Sequence, residues 1–415
     1  MTITRRLGAS WRKGMASAVV GAAAFTASVA APPTDGVAGL RVDRVVVVMR
    51  HGIRPPTKAQ PMPLGVAQDP WPRWPVAPGW LTPHGAAAVE AIAASDRAAF
   101  TAGGLLPAHG CAGRIALLAD SDQRTIATAE QYARGITPGC GVPIEHLPQD
   151  TTDPLFAQID DGHAPLDAAR AKAAIDAAVG PGGIAATEAR MRPLLARLDA
   201  VLCGRTTDTQ CGVAKDPTTI TPATARTRPK LAGALDRAST AAQILLLEYA
   251  DGKPAADVGW GRASAQDVTD FGAFHALEFA ILARPPYLAA RNMAGLSPRI
   301  VGWLTDAAPA AAQIAMISGH DTNIANLAGL LGLHWRVPGI AADDPVPGGA
   351  ILLERLRDTA GNIFVRARYR AQSLEELRAG TARAPYRRIV PIAGCRARGV
   401  VGLCTLDAFT RKLKG

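Results

Sequence analysis

The chain has 415 residues, of which 48% are hydrophobic and 5% aromatic, so its core must be built mostly from alanine, valine and leucine. This length exceeds one ordinary hydrophobic core, which makes two domains the expectation, and neither a solenoid repeat nor a nucleic-acid-binding basic stripe is visible. The net charge of +10 falls to +6 without the four basic residues of the first 30, so charge is a weak argument for a polyanionic substrate.

Residues 1–30 have the pattern of a cleaved secretory signal. Four basic residues precede a short apolar segment, 15–27, and the small residues 28–30 form a typical cleavage site. The apolar segment is too short to span a bilayer, so we expect export to a bacterial periplasm and no membrane contact after cleavage. Residues 4–7 resemble a twin-arginine signal, whereas Arg12 and Lys13 favour the Sec route, and both routes stay open.

The most informative segment is the apolar run 45–49 with the residues after it, in which Arg50 and Arg54 flank His51. A β-branched run of this length predicts a strand buried on both faces, and open α/β sheets hold their chemistry at the carboxyl ends of such strands. Guanidinium groups bind phosphate oxygens, and a neutral imidazole between them is a nucleophile. The pattern indicates phosphoryl transfer through a phosphohistidine; the alternative is an accidental tripeptide in an arginine-rich chain.

Two further signals follow along the chain. A segment rich in tryptophan and proline, 71–76, precedes Thr82 and Pro83, which are typical of an N-cap and a first helical residue. The apolar run 115–119 then predicts another buried strand, and Arg124 follows it at the start of an amphipathic stretch that reaches Tyr132. A third arginine is therefore expected where a strand passes into a helix.

Between residues 154 and 299 the pattern changes to long alanine-rich helical stretches. One of them has apolar residues at three-to-four spacing: Leu231, Leu235, Ala238, Ala242 and Leu245. We interpret 154–299 as a mostly helical domain inserted into an α/β core that comprises 37–153 and 300–415. The substrate is then expected in the cleft between the two domains.

The core resumes with the apolar run 314–318, which predicts a buried strand that ends at His320 and Asp321. Thr322 or Asn323 is expected to cap the next helix, whose free N–H groups favour an anion. Residues 345–349 predict a tight turn, and 351–353 and 363–365 predict strands. Three strand ends that all carry phosphate-compatible side chains are uncommon in an α/β protein.

Six cysteines lie far apart and form no Cys-X-X-Cys motif. An even number in an exported chain indicates disulfides, with many connectivities open. Proximity in sequence gives the simplest pairing: Cys111–Cys140, Cys203–Cys211 and Cys395–Cys404. The alternative is a set of free, buried thiols.

Taken together, these motifs resemble those of the histidine acid phosphatases, and within that family those of the bacterial periplasmic phytases. The signature Arg-His-Gly-X-Arg-X-Pro is matched by residues 50–56, and the His-Asp motif by His320 and Asp321. The Trp-Pro segment and the tetrapeptide 320–323 favour the phytase branch. The resemblance extends from about Val42 to about Phe409 and implies a histidine-phosphatase-like three-layer α/β core with an inserted helical domain.

The resemblance also implies site residues. His51 attacks phosphorus, and Asp321 protonates the leaving alcohol and then activates water, which implies activity at acidic pH. The remaining members bind the phosphoryl group and the substrate: Arg50, Arg54, Thr57, Lys58, Arg124 and His320. Because arginines supply the positive charge, neither a metal nor another cofactor is expected. From spacing alone, Asp321 could instead be a plain helix-capping carboxylate.

The function implied is that of a periplasmic acid phosphatase that hydrolyses small phosphomonoesters, phytate included, as a monomer. The nearest alternative is a sugar-phosphate phosphatase of the glucose-1-phosphatase kind, which shares both motifs. A mutase is less expected in an exported protein, and a phosphate-binding protein without activity would not need Asp321. His84 and His275 could contact a second phosphate, although either is more often a surface or core histidine.

The family resemblance supports the same three cysteine pairs. Phytases of this kind can carry a fourth bridge from the helical domain to a cysteine near the C-terminus, and this sequence has neither partner. We therefore expect a looser C-terminal tail.

Overall fold

A mixed β-sheet forms the centre of the fold in the computed structural model, which describes residues 36–111, 113–206, 208, 210–308 and 310–415. The strands are β1 (Arg41–Arg50), β2 (Ile115–Ala119), β3 (Ile144–Glu145), β4 (Thr219–Thr221), β5 (Lys230–Ala232), β6 (Ile314–Gly319), β7 (Ala350–Arg357), β8 (Ile363–Ala371), β9 (Tyr386–Val390) and β10 (Cys404–Thr405). The central sheet has the order β10-β8-β7-β1-β6-β2-β3, with β9 paired to β8, while β4 and β5 form a separate hairpin.

Helices surround the sheet and fill the part of the chain between β3 and β6. They are α1 (Pro83–Ala102), α2 (Gln123–Ile136), α3 (Ala168–Val179), α4 (Gly183–Cys203), α5 (Ala234–Ala250), α6 (Ala265–Leu282), α7 (Pro286–Asn292), α8 (Leu296–Thr305), α9 (Asp321–Leu331), α10 (Leu374–Arg378) and α11 (Leu406–Lys414). Each strand expected from an apolar run in the core is present, and the runs at 45–49, 115–119 and 314–318 are β1, β2 and β6.

The alternating side chains of β1 show that helices cover both faces of the sheet. Val46 and Val48 belong to one hydrophobic cluster together with Ile324 of α9, whereas Val47 packs in a second cluster with Ile92 of α1. Strand β1 pairs in parallel with β6 and antiparallel with β7, so its backbone is hydrogen-bonded on both edges. A strand that is buried on both faces needs a continuous apolar run of the kind seen in β1. The helices on both faces of the sheet confirm the α/β fold expected from the sequence.

Residues between β3 and β6 are mostly helical, as expected. Helix α5 contains most of the apolar series singled out in the sequence, but Leu231 lies in the hairpin strand β5. Its helical assignment was wrong because Gly233, with φ at 85°, turns the chain before the helix begins at Ala234. Residues Val37–Gly415 form one compact unit, and the division of this unit at 154 and 299 is kept as a proposal.

Two expected helix starts had different outcomes. Thr82 is the N-cap of α1, its hydroxyl accepts from the Gly85 N–H at 2.8 Å, and Pro83 opens the helix as predicted. The cap expected at Thr322 or Asn323 was wrong, because α9 begins at Asp321 with His320 as its N-cap. Asn323 instead lies in the first turn and accepts from the His320 N–H at 2.8 Å.

The structure confirms all three cysteine pairs expected from the sequence: Cys111–Cys140, Cys203–Cys211 and Cys395–Cys404. The proposed signal, 1–30, lies outside the described residues. Within the described part of the chain, every helix is too short or too polar to cross a bilayer.

Candidate active site

The parallel pairing of β1 with β6 brings the two halves of the site together. Arg50 lies opposite Gly319 in the register, and the His51 N–H donates to the Gly319 carbonyl oxygen at 2.8 Å. His51 and His320 therefore leave the sheet at the same edge, with their ring centroids 5.7 Å apart. Motifs that are distant in sequence thus form one site because their strands are neighbours.

The His51 side chain is fully buried and held in one orientation. Its Nδ1 lies 2.8 Å from the Gly52 carbonyl oxygen, which can only accept, so Nδ1 carries the proton and Nε2 keeps a lone pair. Burial lowers the pKa of His51 well below its usual value, and the charges of Arg54 and Arg124 lower it further. The ring is therefore neutral, which is the form that a nucleophile requires.

Arg54 and Arg124 supply positive charge on the open side of His51. The Arg54 Nε lies 3.4 Å from the His51 Nε2, and both arginines line the central cavity. Burial lowers the pKa of Arg54 to about 9, and the charge of Arg124 adds to this effect. Arg54 therefore remains charged at acidic and neutral pH, and guanidinium groups in this position can bind phosphoryl oxygens.

Arg50 has a different position from the other two arginines. Its guanidinium is buried behind the cavity, where it forms an ion pair with Asp321 at 3.1 Å and donates to Gln243 Oε1 at 2.9 Å and to the Pro345 carbonyl oxygen. Arg50 is absent from the cavity wall within the described residues. It therefore acts on the site through its charge and through Asp321.

His320 is oriented by two carboxylates that follow β2. Its Nε2 lies 2.7 Å from an oxygen of Asp120 and 3.4 Å from one of Asp122, and Asp122 also pairs with Arg124 at 2.6 Å. These contacts connect His320 and Arg124 through a shared carboxylate. Both side chains line the cavity beside His51.

Asp321 lies at the first position of α9, close to the side chains of Arg50 and His275. Its Oδ2 is 3.1 Å from Arg50 and 4.0 Å from His275 Nε2, and 18% of its side chain is exposed. Burial by itself would raise the pKa of Asp321, but nearby positive charge, that of Arg50 above all, holds it well below its usual range. The resting carboxyl group is therefore ionised.

A cavity of about 520 Å³ opens in front of these groups. Its wall carries His51, Arg54, Arg124, His320 and Asp321, together with polar residues from the segment after β3. This volume lies in the range of small-molecule sites. The structure therefore brings five of the eight predicted catalytic and binding residues to one cavity wall.

Besides Arg50, two predicted binding residues lie outside that wall. Thr57 is exposed, and Lys58 lines a neighbouring cavity of about 260 Å³ together with Trp71 and Trp74. The Trp-Pro segment thus forms a second hollow beside the central one. Two histidines were considered for a second phosphate. One of them, His84, forms a hydrogen bond between its Nε2 and the Leu377 carbonyl oxygen at 2.7 Å.

One group of side chains in the described residues has metal-ligand character. The ligand atoms of Asp120, Asp122 and His320 lie within 4.8 Å of one another. They already pair with each other and with Arg124. The set therefore fits the role of orienting His320 and Arg124.

Sequence reasoning missed the residues that orient the predicted ones. Asp120 and Asp122 directly follow a predicted strand, and that position was a usable signal. Asp344 binds His275 Nδ1 at 2.6 Å, and no sequence pattern links a loop aspartate to a helix histidine 69 residues away. Contacts of this kind depend on tertiary packing.

Comparisons with known proteins agree with this geometry. The family model described as histidine phosphatase superfamily (branch 2) matches residues 41–370. Phytase AppA of Escherichia coli is 33% identical over 399 residues, covering 90% of this chain and 91% of that protein. A glucose-1-phosphatase of Providencia rettgeri is 27% identical over 358 residues, covering 83% and 84%.

Comparison with solved structures finds the same kind of protein. The phytase of Hafnia alvei in complex with myo-inositol hexakis sulphate superposes with a TM-score of 0.83 at 31% identity, covering 91% of this chain and 97% of that one. This chain therefore belongs to the histidine phosphatase superfamily, branch 2, which confirms its identification from sequence as a histidine acid phosphatase.

Proposed function

We propose that the chain hydrolyses phosphomonoesters through a phosphohistidine on His51. The Nε2 lone pair attacks phosphorus in line with the leaving oxygen, the P–O bond to the alcohol breaks, and Asp321 protonates the departing oxygen. Water then attacks the phosphohistidine while Asp321 accepts its proton, which releases inorganic phosphate and restores His51. One observation carries this proposal: a neutral, buried His51 beside arginines that remain charged.

The arginines oppose the charge that spreads over the phosphoryl oxygens in the transition state. Arg54, Arg124 and His320 are proposed to contact those oxygens, because all three line the cavity beside His51. Arg50 contributes its charge from behind Asp321. We propose that the enzyme acts as a monomer and, because the chain itself supplies several cations at the site, that it needs no metal.

Phytate is the substrate that we propose first. The related E. coli protein is named a phytase, and the related Hafnia alvei phytase holds myo-inositol hexakis sulphate. Lys58 lines the neighbouring hollow with Trp71 and Trp74, which supports the proposal that Lys58 and the adjacent Thr57 contact the rest of a large polyanion. A glucose-1-phosphatase activity is the second candidate, because two relatives carry that name at 27% and 26% identity.

The periplasm is the proposed location. Three disulfides require an oxidising compartment, and the first 30 residues have the pattern of a secretory signal. Fractionation of cells that express the full chain, followed by N-terminal sequencing, should find protein in the periplasm that starts near residue 31. Recovery of the uncut chain in the cytosol would refute the location.

The substrate assignment is tested by comparing kcat/KM for phytate and glucose 1-phosphate at acidic pH, with p-nitrophenyl phosphate as a general phosphatase substrate. We expect turnover of all three, with the largest kcat/KM for phytate. A larger value for glucose 1-phosphate would favour the second candidate. Absence of phosphate release from all three would overturn the proposed enzyme function.

A further inference from the structure

Asp321 lies at the end of a chain of three side chains that crosses the domain interior. Its Oδ2 is 4.0 Å from His275 Nε2, and His275 Nδ1 is 2.6 Å from Asp344 Oδ1. His275 projects from α6, Asp344 from the loop before β7, and Asp321 from the start of α9. Three separate elements thus converge on a single imidazole ring.

The other two members of this chain are shielded from solvent. The side chain of His275 is 7% exposed and that of Asp344 is 1% exposed. The second oxygen of Asp344 is buried without a hydrogen-bond partner, and a Cβ at Gly272 of α6 would lie only 3.1 Å from it. A buried carboxylate with one free oxygen is costly unless a cation compensates it, and the ring of His275 is the group in contact with it.

The surroundings of the ring define where its protons are held. An ionised carboxylate only accepts hydrogen bonds, and His275 has one such group facing each ring nitrogen. Phe279 packs edge-on against the ring with centroids 4.4 Å apart. Burial raises the pKa of Glu278 on the same helix, while a hydrogen bond with Ser239 and, to a smaller extent, the interaction with His275 oppose that rise. An imidazole with a proton on both nitrogens satisfies both acceptors.

In the resting site, Asp321 does not yet hold the proton that the proposed mechanism requires. Asp321 must hold a proton when the alcohol leaves, yet nearby positive charges hold its pKa well below the usual range. Two basic side chains of the described chain lie within 4.0 Å of its carboxylate, Arg50 and His275. A guanidinium does not release its proton in proteins, whereas an imidazolium does.

We propose that Asp344 and His275 form a proton relay that loads Asp321 when substrate binds, an inference that rests on the proposed phosphatase function. The phosphate charge of the substrate offsets the arginine field that keeps Asp321 ionised. The proton on His275 Nε2 then moves to Asp321 Oδ2 and onward to the leaving oxygen. In the second half-reaction the proton that Asp321 takes from water returns to His275 Nε2, so the relay ends as it began.

In this relay His275 and Asp344 are positioning residues that act through Asp321. The 4.0 Å separation is longer than a hydrogen bond, so transfer requires the two groups to approach by about 1 Å. The Asp344 carboxylate fixes the ring so that Nε2 points at Asp321. It also balances the ring's positive charge before transfer.

The test is His275→Gln, which keeps a polar side chain but cannot carry a transferable proton. We expect kcat for phytate, whose alcohol leaves poorly, to fall about 10- to 100-fold, and kcat for p-nitrophenyl phosphate to fall less than about threefold. The phytate profile should also lose activity at lower pH than the wild type, because Asp321 must then take its proton from solvent. Asp344→Asn should produce the same leaving-group dependence at a smaller amplitude.

His334→Gln is the matched control. His334 Nδ1 also lies 2.6 Å from an aspartate, Asp343, but His334 is exposed and remote from Asp321 within the described contacts. The control should keep wild-type kcat on both substrates. Equal losses on both substrates in His275→Gln and Asp344→Asn, with an unshifted pH profile, would overturn the relay. If His275→Gln fails to fold, the ratio measured for Asp344→Asn decides alone.

The two levels of the proposal fail differently. If the wild type turns over p-nitrophenyl phosphate and both substitutions act equally on both substrates, the phosphatase function stands and the relay is wrong. If the wild type turns over none of the substrates, the proposed function itself is wrong.

Discussion

Two mostly buried carboxyl groups in this molecule differ in charge at neutral pH, since Asp321 is ionised and Glu248 is protonated. Asp321, at the cation-lined edge of the sheet, has a pKa held well below its usual range by Arg50 and His275 against the effect of burial. Glu248, in the apolar interior of α5, has its pKa raised to about 8 by burial. Its Oε2 accepts from the Gly259 N–H at 3.2 Å, and its Oε1 has no partner in the described structure.

The difference shows that burial alone does not decide whether a carboxyl group is charged. At the sheet edge, strand ends deliver arginines and histidines around Asp321, and these outweigh desolvation. In the helical region no side-chain cation of the described chain forms an ion pair with Glu248, so desolvation dominates. We therefore expect the first region to control chemistry and the second to control stability.

The largest effect is expected from His51→Ala. The protein should fold normally, but turnover should fall by about 10⁴-fold or more, because no other nucleophile of the described site has the same position. Circular dichroism and kcat on p-nitrophenyl phosphate measure the two outcomes. His109→Ala, at an exposed histidine, is the control and should keep full activity. Substantial turnover by His51→Ala would refute the nucleophile.

Asp321→Asn should separate substrates by leaving group. The amide keeps the size of the side chain but cannot deliver a proton, so kcat for phytate should fall by roughly 10²- to 10⁴-fold. The phosphorylation rate with p-nitrophenyl phosphate should fall much less, since that leaving group needs little protonation. Single-turnover measurements on both substrates check this. An equal loss on both would contradict the general-acid role.

Glu248→Gln should change the pH dependence of stability with little change in kcat. Between about pH 4.5 and 8 the folded wild type binds a proton at Glu248 that the unfolded chain releases, so its stability falls as pH rises through this window. At 1.36 kcal/mol per pKa unit the loss is on the order of 5 kcal/mol. Thermal melts across the window should show a flatter curve for the variant.

Asp321 contributes to stability with the opposite sign. Its pKa is lower in the folded state, so its contribution is present above the unfolded pKa and is lost as pH falls through the acidic range. Glu248→Gln and Asp321→Asn should therefore alter the melting curve at opposite ends of the pH scale. If both variants changed the melting curve at the same end of the pH scale, the proposed difference between the two regions would be wrong.

The smallest effect in this series is expected from the double substitution Cys203→Ser and Cys211→Ser. This disulfide closes a short loop after α4, so its loss should cost about 2–4 kcal/mol, the usual range for one bridge. Urea unfolding measures the change, and kcat should stay within about twofold of the wild type. A large loss of kcat would show that this disulfide of the helical region affects catalysis as well as stability, which would contradict our inference.

Much of the site could be predicted from the sequence because its residues follow apolar runs. The run 115–119 corresponds to β2 residue for residue, and His51, Arg124 and His320 follow three strand ends that tertiary pairing then makes neighbours. Continuous apolar runs predict buried strands regardless of context. The site residues at the ends of these strands can therefore be recognised from the sequence alone.

Other features depend on packing that no local pattern specifies. The orientation of Arg50 away from the cavity depends on its contacts with Gln243 and Pro345, which are 193 and 295 residues away. The contact between His275 and Asp344 joins a helix to a loop. The start of α9 at Asp321 depends on the reciprocal bond between Asn323 and His320. Each of these requires the folded chain.

The central claim is that His51 forms a covalent phosphoryl intermediate. The most direct test is rapid quenching of the enzyme with radiolabelled phosphomonoester, followed by peptide mapping of the label. The account predicts an acid-labile, alkali-stable phosphoryl group on the peptide that contains His51, formed in the wild type and absent from His51→Ala. Turnover by the wild type without such a label, or a label on another residue, would contradict it.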